Sequence, residues 1–476
     1  MTASASAPKG FWEGPGGGRE VLRIGYPLIL AQLSFTLQTF VDRLFLTWYS
    51  AEAVAGAVTA LFVVWTYIGV CIGTGEYVTS FVAQYLGAGR PERVGAAMWQ
   101  GLWFSLAAGV GGVALTPLAE PVFAFAGHSR IVQQYEVTYA QVLLLGTLPV
   151  VAMATLSAFF AGRGRTLVVL VVNVAVTAVN AVLDYLWIFG HGGFEREGVA
   201  GAAAATIASQ AFGALCFFAL MVRRPNREAF RTLADWRLEP ALLRRLVRLG
   251  VPAGLHYALE IFAFALFMFM VGRLGTAELA ATGIAFNLNM IVFTPMLGLG
   301  FGVAALVSKA LGAGDVAAAE RATWSGFKMS FVYMGACGAL YVLAPELLLA
   351  PYAAGSAPGQ FARIGEISVV LLRFVAFYSI FDMANVIFAA ALKGAGDTAF
   401  PLRASVVASS LGMLLPTWVL CFHLGFGLYA AWGAATFYVF LVGVAMLVRF
   451  RRGDWRLLRV VEELEPLGGA LAPSEK

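Results

Sequence analysis

The sequence predicts an all-α integral membrane protein, with twelve transmembrane helices in two pseudo-symmetric six-helix lobes, and three observations lead there. Hydrophobic residues make up 60% of the chain and charged residues 12%, against roughly a quarter charged in soluble domains. Apolar stretches long enough to cross a bilayer as helix, about 20 residues, recur along the whole sequence. Landmarks also return at a constant offset. Gly25-Tyr26-Pro27 reappears as Gly250-Val251-Pro252, Leu86-Gly87-Ala88-Gly89 as Leu311-Gly312-Ala313-Gly314, and Trp99 with Gly101 as Trp324 with Gly326, each 225 positions later. Repeats of this size in an apolar chain imply two equivalent halves facing each other across a central cavity.

The expected order is a cytoplasmic tail over 1–19, an N-lobe over 20–222, a basic cytoplasmic linker over 223–246, a C-lobe over 247–449 and a cytoplasmic tail over 450–476. N-lobe spans are expected at 20–48, 53–85, 94–118, 134–160, 165–190 and 199–222. C-lobe spans are expected at 247–273, 279–310, 318–346, 366–392, 399–422 and 426–449. Residues Met1 to Glu20 are polar and Gly-rich without a basic-then-apolar leader pattern, so the first apolar run reads as a retained helix.

Basic residues set the orientation. With both termini inside, cytoplasmic segments hold Arg90, Arg93, Arg163, Arg165, the cluster from Arg223 to Arg248 and the tail from Arg449 to Arg459. Opposite loops hold little beyond Arg130, Arg196, Arg273 and Arg363. The positive-inside rule then places a multi-pass protein in the cell inner membrane with both termini cytoplasmic. The net charge of +5 reflects this topology, and no nucleic-acid partner is expected. Cys71, Cys216, Cys337 and Cys421 lie singly in apolar spans, a pattern that suits neither a disulfide framework nor zinc.

Ionisable groups inside a span cost a few kcal/mol by insertion scales, so each is a functional candidate. Away from span ends these are the acids Asp42, Glu76, Asp184, Glu260 and Asp382, with Arg43, Lys328 and Arg373. The acidic balance favours a cation pathway over an anion pore. In the first helix Ser34, Gln38 and Asp42 recur every four residues, and in the fifth Asn173, Thr177, Asn180 and Asp184 form a second stripe. Thr206 and Gln210 stand four apart in the sixth. Asp42, Asn180, Asp184 and Thr206 fall at similar depth, where four oxygen-bearing side chains could surround a hard cation such as Na+ or share a proton. The alternative is interhelical hydrogen bonding.

The C-lobe differs. His256 and Glu260 stand four apart in the seventh helix, and Tyr378, Asp382 and Asn385 share one face of the tenth. At 1.5 Å rise per residue, Glu260 and Asp382 reach similar depth and could meet, forming a second candidate site for H+ or Na+. His256 reads as a hydrogen-bonded core residue or an accessory one. The acids do not repeat: position 42 corresponds to Phe267 and position 260 to Phe35. Pro27, Pro149, Pro252, Pro295 and Pro416 lie in or near spans. Gly162-Arg163-Gly164-Arg165-Thr166 and Gly394-Ala395-Gly396-Asp397-Thr398 are turn elements rather than phosphate-binding loops, and there is no Walker motif to supply ATP hydrolysis.

These residues resemble the multidrug and toxic compound extrusion (MATE) transporters. The matching pieces are Gly25-Tyr26-Pro27 with Val41-Asp42, the two Leu-Gly-Ala-Gly turns, and Asn180-x-x-x-Asp184 followed by Gly201 to Thr206. Gly250-Val251-Pro252 leading to Glu260, and Tyr378-x-x-x-Asp382 leading to Lys393-Gly394-Ala395-Gly396-Asp397, complete the set. The resemblance spans residues 20–450 and implies two lobes arranged as a V, alternating access, and export of organic cations against protons or sodium. It implies an N-lobe cation site at Asp42, Asn180, Asp184 and Thr206, and a C-lobe site at Glu260, Tyr378 and Asp382. Arg43 and Glu76 stand outside the family's motifs.

The expected function is secondary active multidrug antiport of lipophilic, often cationic compounds against H+ or Na+, by a monomer that needs no cofactor and is not an enzyme. Gln38, Asn173, Thr177, Glu76 and His256 are the expected cavity or accessory residues. A lipid-linked-precursor flippase would call for a basic cavity, and a membrane-embedded transferase for a His, Cys or carboxylate cluster at the membrane surface.

Overall fold

A computed structural model describes residues 10–354 and 361–462. Among these, eleven helices are long and apolar enough to cross a membrane, and a bent pair supplies a twelfth crossing. The N-lobe contains α1 (Gly18–Tyr49), α2 (Ala51–Gly87), α3 (Arg93–Ala126), α4 (Arg130–Leu145 with Thr147–Gly162), α5 (Thr166–Phe189) and α6 (Val199–Met221). The C-lobe contains α7 (Pro240–Gly272), α8 (Thr276–Gly312), α9 (Val316–Leu343), α10 (Phe361–Ala395), α11 (Ala399–His423) and α12 (Leu428–Arg452).

The fourth span, expected over 134–160, consists of two halves bent by 50°. Pro149 has no N–H to offer the carbonyl of Leu145, and Ile207 of α6 packs onto the space a Cβ at Gly146 would fill. The linker is also more ordered than a connector needs to be. Arg224–Phe230 is helical and α7 begins at Pro240, so Arg244, Arg245 and Arg248 ride on its first turns. The expected tail segments 1–9 and 463–476 lie outside the described residues.

The sequence repeat has a structural counterpart. Pro27 and Pro252 sit inside α1 and α7, and each Leu-Gly-Ala-Gly turn closes its helix, α2 or α8, with a left-handed glycine, Gly89 at φ 69° and Gly314 at φ 74°. The lobes meet through α1 against α8 and α2 against α7. Gly73 and Gly254 pack backbone to backbone, and a side chain at either would overlap the facing helix. These contacts lie in the halves of the helices nearest both chain termini. Toward the opposite side the lobes part around an open cavity of about 2800 Å³, mouth included, whose N-lobe wall runs along α1 from Leu28 to Leu46.

Candidate functional site

The N-lobe wall is built where α1 packs on α5. Thr177 donates its hydroxyl to the carbonyl of Ser34 at 3.1 Å, a tie that sets the register of the two polar stripes. About two turns further toward the open side, Asp42 and Asp184 face each other within reach of one amide, that of Asn180. With its amide nitrogen toward them, Asn180 donates to Asp42 Oδ1 at 2.8 Å and to Asp184 Oδ2 at 3.3 Å. Asn180 and Asp184 are fully buried, Asp184 Oδ1 has no partner, and Asp42 opens onto the cavity. Two carboxyl groups held this close in a low-dielectric interior cannot both keep their charge unless a proton or another cation compensates. Tyr139 of α4 and Arg43 lie within electrostatic reach of the pair.

The other N-lobe candidates share the wall without joining this cluster. Gln38, Asn173 and Thr206 line the cavity. Asn173 Nδ2 donates to Val169 O at 2.8 Å and the Thr206 hydroxyl to Ala202 O at 3.2 Å, both within their own helices. The four-ligand arrangement expected from depth is therefore a three-residue cluster, with Thr206 beside it.

On the C-lobe wall, α7, α10 and α11 converge on Glu260. Its carboxylate accepts from Asn385 Nδ2 at 3.2 Å and from Ser405 Oγ at 3.5 Å. His256 is buried, its Nε2 3.0 Å from Ser405 Oγ and 3.6 Å from Glu260. The expected meeting of Glu260 with Asp382 is not made by contact. Asn385, one turn along α10, occupies the position facing Glu260, and Asp382 interacts with it only at longer range. Asp382 and Tyr378 do not line the cavity described by its wall residues, and Tyr378 is stacked on Trp432 at 6.5 Å between ring centres.

A third group sits where the lobes meet. Glu76 and Lys393 both line the cavity, and the Tyr77 hydroxyl donates to Lys393 O at 2.8 Å, pinning α2 to the end of α10. The Lys393 ammonium is within electrostatic reach of Glu76 and Glu260, and among the described residues it makes no ion pair within 4.0 Å. Ser405 and Tyr139 were not legible as site residues, and Lys393, though it opens the Lys393-Gly394-Ala395-Gly396-Asp397 piece, was not read as one. Lys393 falls one residue beyond the expected span, and a serine or tyrosine in an apolar helix carries no pattern of its own. The cavity thus presents three carboxyl groups, Asp42, Glu76 and Glu260, against Arg43 and Lys393, among aromatic rings that include Phe35, Trp65, Tyr257, Phe293 and Phe301.

The family model described as MatE matches residues 27–186 and 252–418. A probable multidrug resistance protein NorM from Rhizobium meliloti (strain 1021) is 29% identical over 447 residues, which is 94% of this chain and 94% of that protein. The Thermotoga maritima protein of the same description is 25% identical, over 94% of this chain and 96% of that one. Among solved structures, the outward-facing conformation of a multidrug resistance MATE family transporter of the MOP superfamily superposes with a TM-score of 0.83 at 20% identity, covering 92% of this chain and 96% of that one. A MOP superfamily transporter from Pyrococcus furiosus does so with 0.81 at 21% identity, covering 94% and 98%.

Proposed function

Because this chain belongs to the MatE family of membrane transporters, we propose that it is a secondary active multidrug antiporter. It exports lipophilic, often cationic compounds in exchange for H+ or Na+ by alternating access of two lobes, N-lobe 20–222 and C-lobe 247–449, joined by the basic linker 223–246. The observation that carries this reading is a cavity between the two lobes with Asp42 in its wall and Asn180 and Asp184 clustered behind it. In an inner-membrane orientation with both termini cytoplasmic, the open side is outward. The relatives named multidrug resistance proteins support the same substrate class.

The chemistry follows from the cluster. A proton shared by Asp42 and Asp184, or a Na+ held by their oxygens with the Asn180 amide turned over, neutralises the pair; loss of either restores repulsion between two buried carboxylates. That repulsion is the differential free energy by which ion occupancy biases the lobes between two states. The mainly acidic, aromatic cavity suits a lipophilic cation through charge and cation–π contact, and suits a phosphate headgroup poorly. The proposed monomer contains all of these groups.

The test is efflux of a fluorescent lipophilic cation from proteoliposomes under separately imposed proton and sodium gradients. Export driven by one gradient is the expected result and names the ion. No response to either, with movement of a phosphate-bearing lipid instead, would replace antiport with lipid flipping.

A further inference from the structure

The side of the molecule opposite the open cavity is closed by more than helix packing. After α12 the chain is anchored to its own lobe. Arg449 bonds Asp397 Oδ2 at 2.8 Å and also Asp454, and Arg456 pairs with Glu320. Trp455 is fully buried, its ring 4.8 Å from that of Phe450 and its Nε1 donating to Phe450 O at 2.8 Å. From this anchor, residues 458–462 cross to the N-lobe. Gln84 of α2, fully buried, accepts at Oε1 from the amides of Val460 at 2.8 Å and Val461 at 3.4 Å. Its Nε2 donates to Gly394 O at the end of α10, at 3.4 Å.

Glu462 then lies among donors from both lobes. Tyr85 Oη donates to its Oε2 at 2.9 Å, Arg93 reaches its Oε1 at 3.5 Å and Arg90 at 3.7 Å. Arg245, on the first turns of α7, reaches Oε2 at 3.3 Å. Partial burial alone pushes this carboxyl up, but hydrogen bonds from its own backbone and Tyr85, with the charges of Arg93 and Arg90, outweigh it and leave it below the ordinary glutamate range. The stabilisation is therefore present above the ordinary carboxylate range and is lost only as pH falls through the depressed value, well below neutrality.

The crossing is reciprocal. The segment before α1, which begins the N-lobe, docks on α9 of the C-lobe, where Ser325 donates to Gly16 O at 3.0 Å and Arg321 to Pro15 O at 3.4 Å. Gly16 has φ 74°, and a side chain there would overlap the α9 backbone. Each lobe thus sends its terminal segment onto the other.

We propose that Gln84 and Glu462 are positioning residues of the transport cycle: residues 458–462 form a strap that holds the lobes together on the terminus-bearing side and sets the population of the state with the opposite side open. The inference rests on the alternating-access reading, in which the lobes separate on this side once per cycle. The strap has to leave Gln84, Tyr85 and the arginines for that to happen, while its Trp455 anchor stays with the C-lobe. None of residues 458–462 lines the cavity, and the strap acts on the equilibrium between states.

The test measures distances between spin labels at Glu92→Cys on the N-lobe and Ala317→Cys on the C-lobe, both exposed on this side, in a full-length protein lacking Cys71, Cys216, Cys337 and Cys421. Glu462→Gln removes the charge, and Val460→Pro removes one amide donor to Gln84 without altering charge. The expected result is a shift of about tenfold toward the long-distance population for Glu462→Gln and a smaller shift in the same direction for Val460→Pro. Unchanged populations in both variants, in a protein that visits both distances, would overturn the strap. A single short distance in every sample, with substrate and under either ion gradient, would overturn the alternating reading beneath it. The labels report the lobes whether or not a given compound is exported, so the two failures are distinguishable.

Discussion

The two lobes share one scaffold and differ in what surrounds their principal acid. In the N-lobe, Asp42 faces a second carboxyl, Asp184, with one amide donor between them. In the C-lobe, Glu260 faces neutral partners, Asn385, Ser405 and His256, with Lys393 within electrostatic reach. The repeat shows where the difference arises. The Gly-x-Gly-x-Thr turns begin at 162 and 394, an offset of 232 for the helices that follow, so Asn180 and Asp184 of α5 correspond to Gly412 and Pro416 of α11. Where α5 is regular, α11 is π-helical over Ser409–Leu414 and again over Val419–His423. Such segments are rare and mark places where a helix departs from its ordinary hydrogen-bond ladder. One wall therefore carries two clustered carboxyl groups, and the other a single one among neutral donors. On the proposed reading, the first couples to the ion and the second tunes cation recognition.

The largest effect expected from this contrast is at Asp184. Asp184→Asn leaves Asp42 without a partner acid and should lower gradient-driven efflux about 100-fold, or about 2.7 kcal/mol, in proteoliposomes with protein levels matched. Retention of more than a third of the wild-type rate would erase the distinction between the walls. A second change sharpens it from the C-lobe. Lys393→Met removes the cation near Glu260 and should tighten binding of a lipophilic cation about tenfold, or about 1.4 kcal/mol, in equilibrium titration of detergent-solubilised protein. Most of that gain should vanish when Glu260→Gln is added; an equal gain in both backgrounds would mean that Lys393 acts independently of Glu260.

Smaller still is Asn385→Ala, which deprives Glu260 of one donor and should change cation affinity about three- to fivefold, within the range of one ordinary hydrogen bond. Driven efflux at saturating substrate should be nearly unaffected. Thr206→Val marks the lower end, because its hydroxyl is bonded to Ala202 O in its own helix. A change under about twofold in driven efflux is expected. A loss approaching that of Asp184→Asn would bring Thr206 into the ion cluster after all.

Much of the fold was legible because the bilayer leaves few choices. Runs near 20 apolar residues and a 225-residue repeat define helices and lobes before any side chain is placed. The break in α4 was harder to read, because Pro149 is compatible with either a kink or a continuous span. In the site, the four-residue steps of Gln38 and Asp42 and of Asn180 and Asp184 predict the facing stripes that bring Asp42, Asn180 and Asp184 together, since helical periodicity determines faces directly. It does not determine which residue of the tenth helix points at Glu260. Asp382 and Asn385 are one turn apart, and a rotation of the helix decides between them. Lys393 and the strap residues Gln84 and Glu462 were beyond reach for another reason: their partners come from segments more than 100 positions away in sequence, or from a tail with no apolar pattern.

The most direct test of the central claim compares two modes of transport in two variants. Gradient-driven accumulation and gradient-free substrate exchange would be measured in the same proteoliposomes for Asp42→Asn and Glu260→Gln. The account predicts that Asp42→Asn abolishes driven accumulation while exchange continues, and that Glu260→Gln weakens both in parallel through substrate affinity and leaves coupling in place. Driven accumulation that survives Asp42→Asn, or is lost in Glu260→Gln while exchange continues, would contradict it and move coupling to the C-lobe.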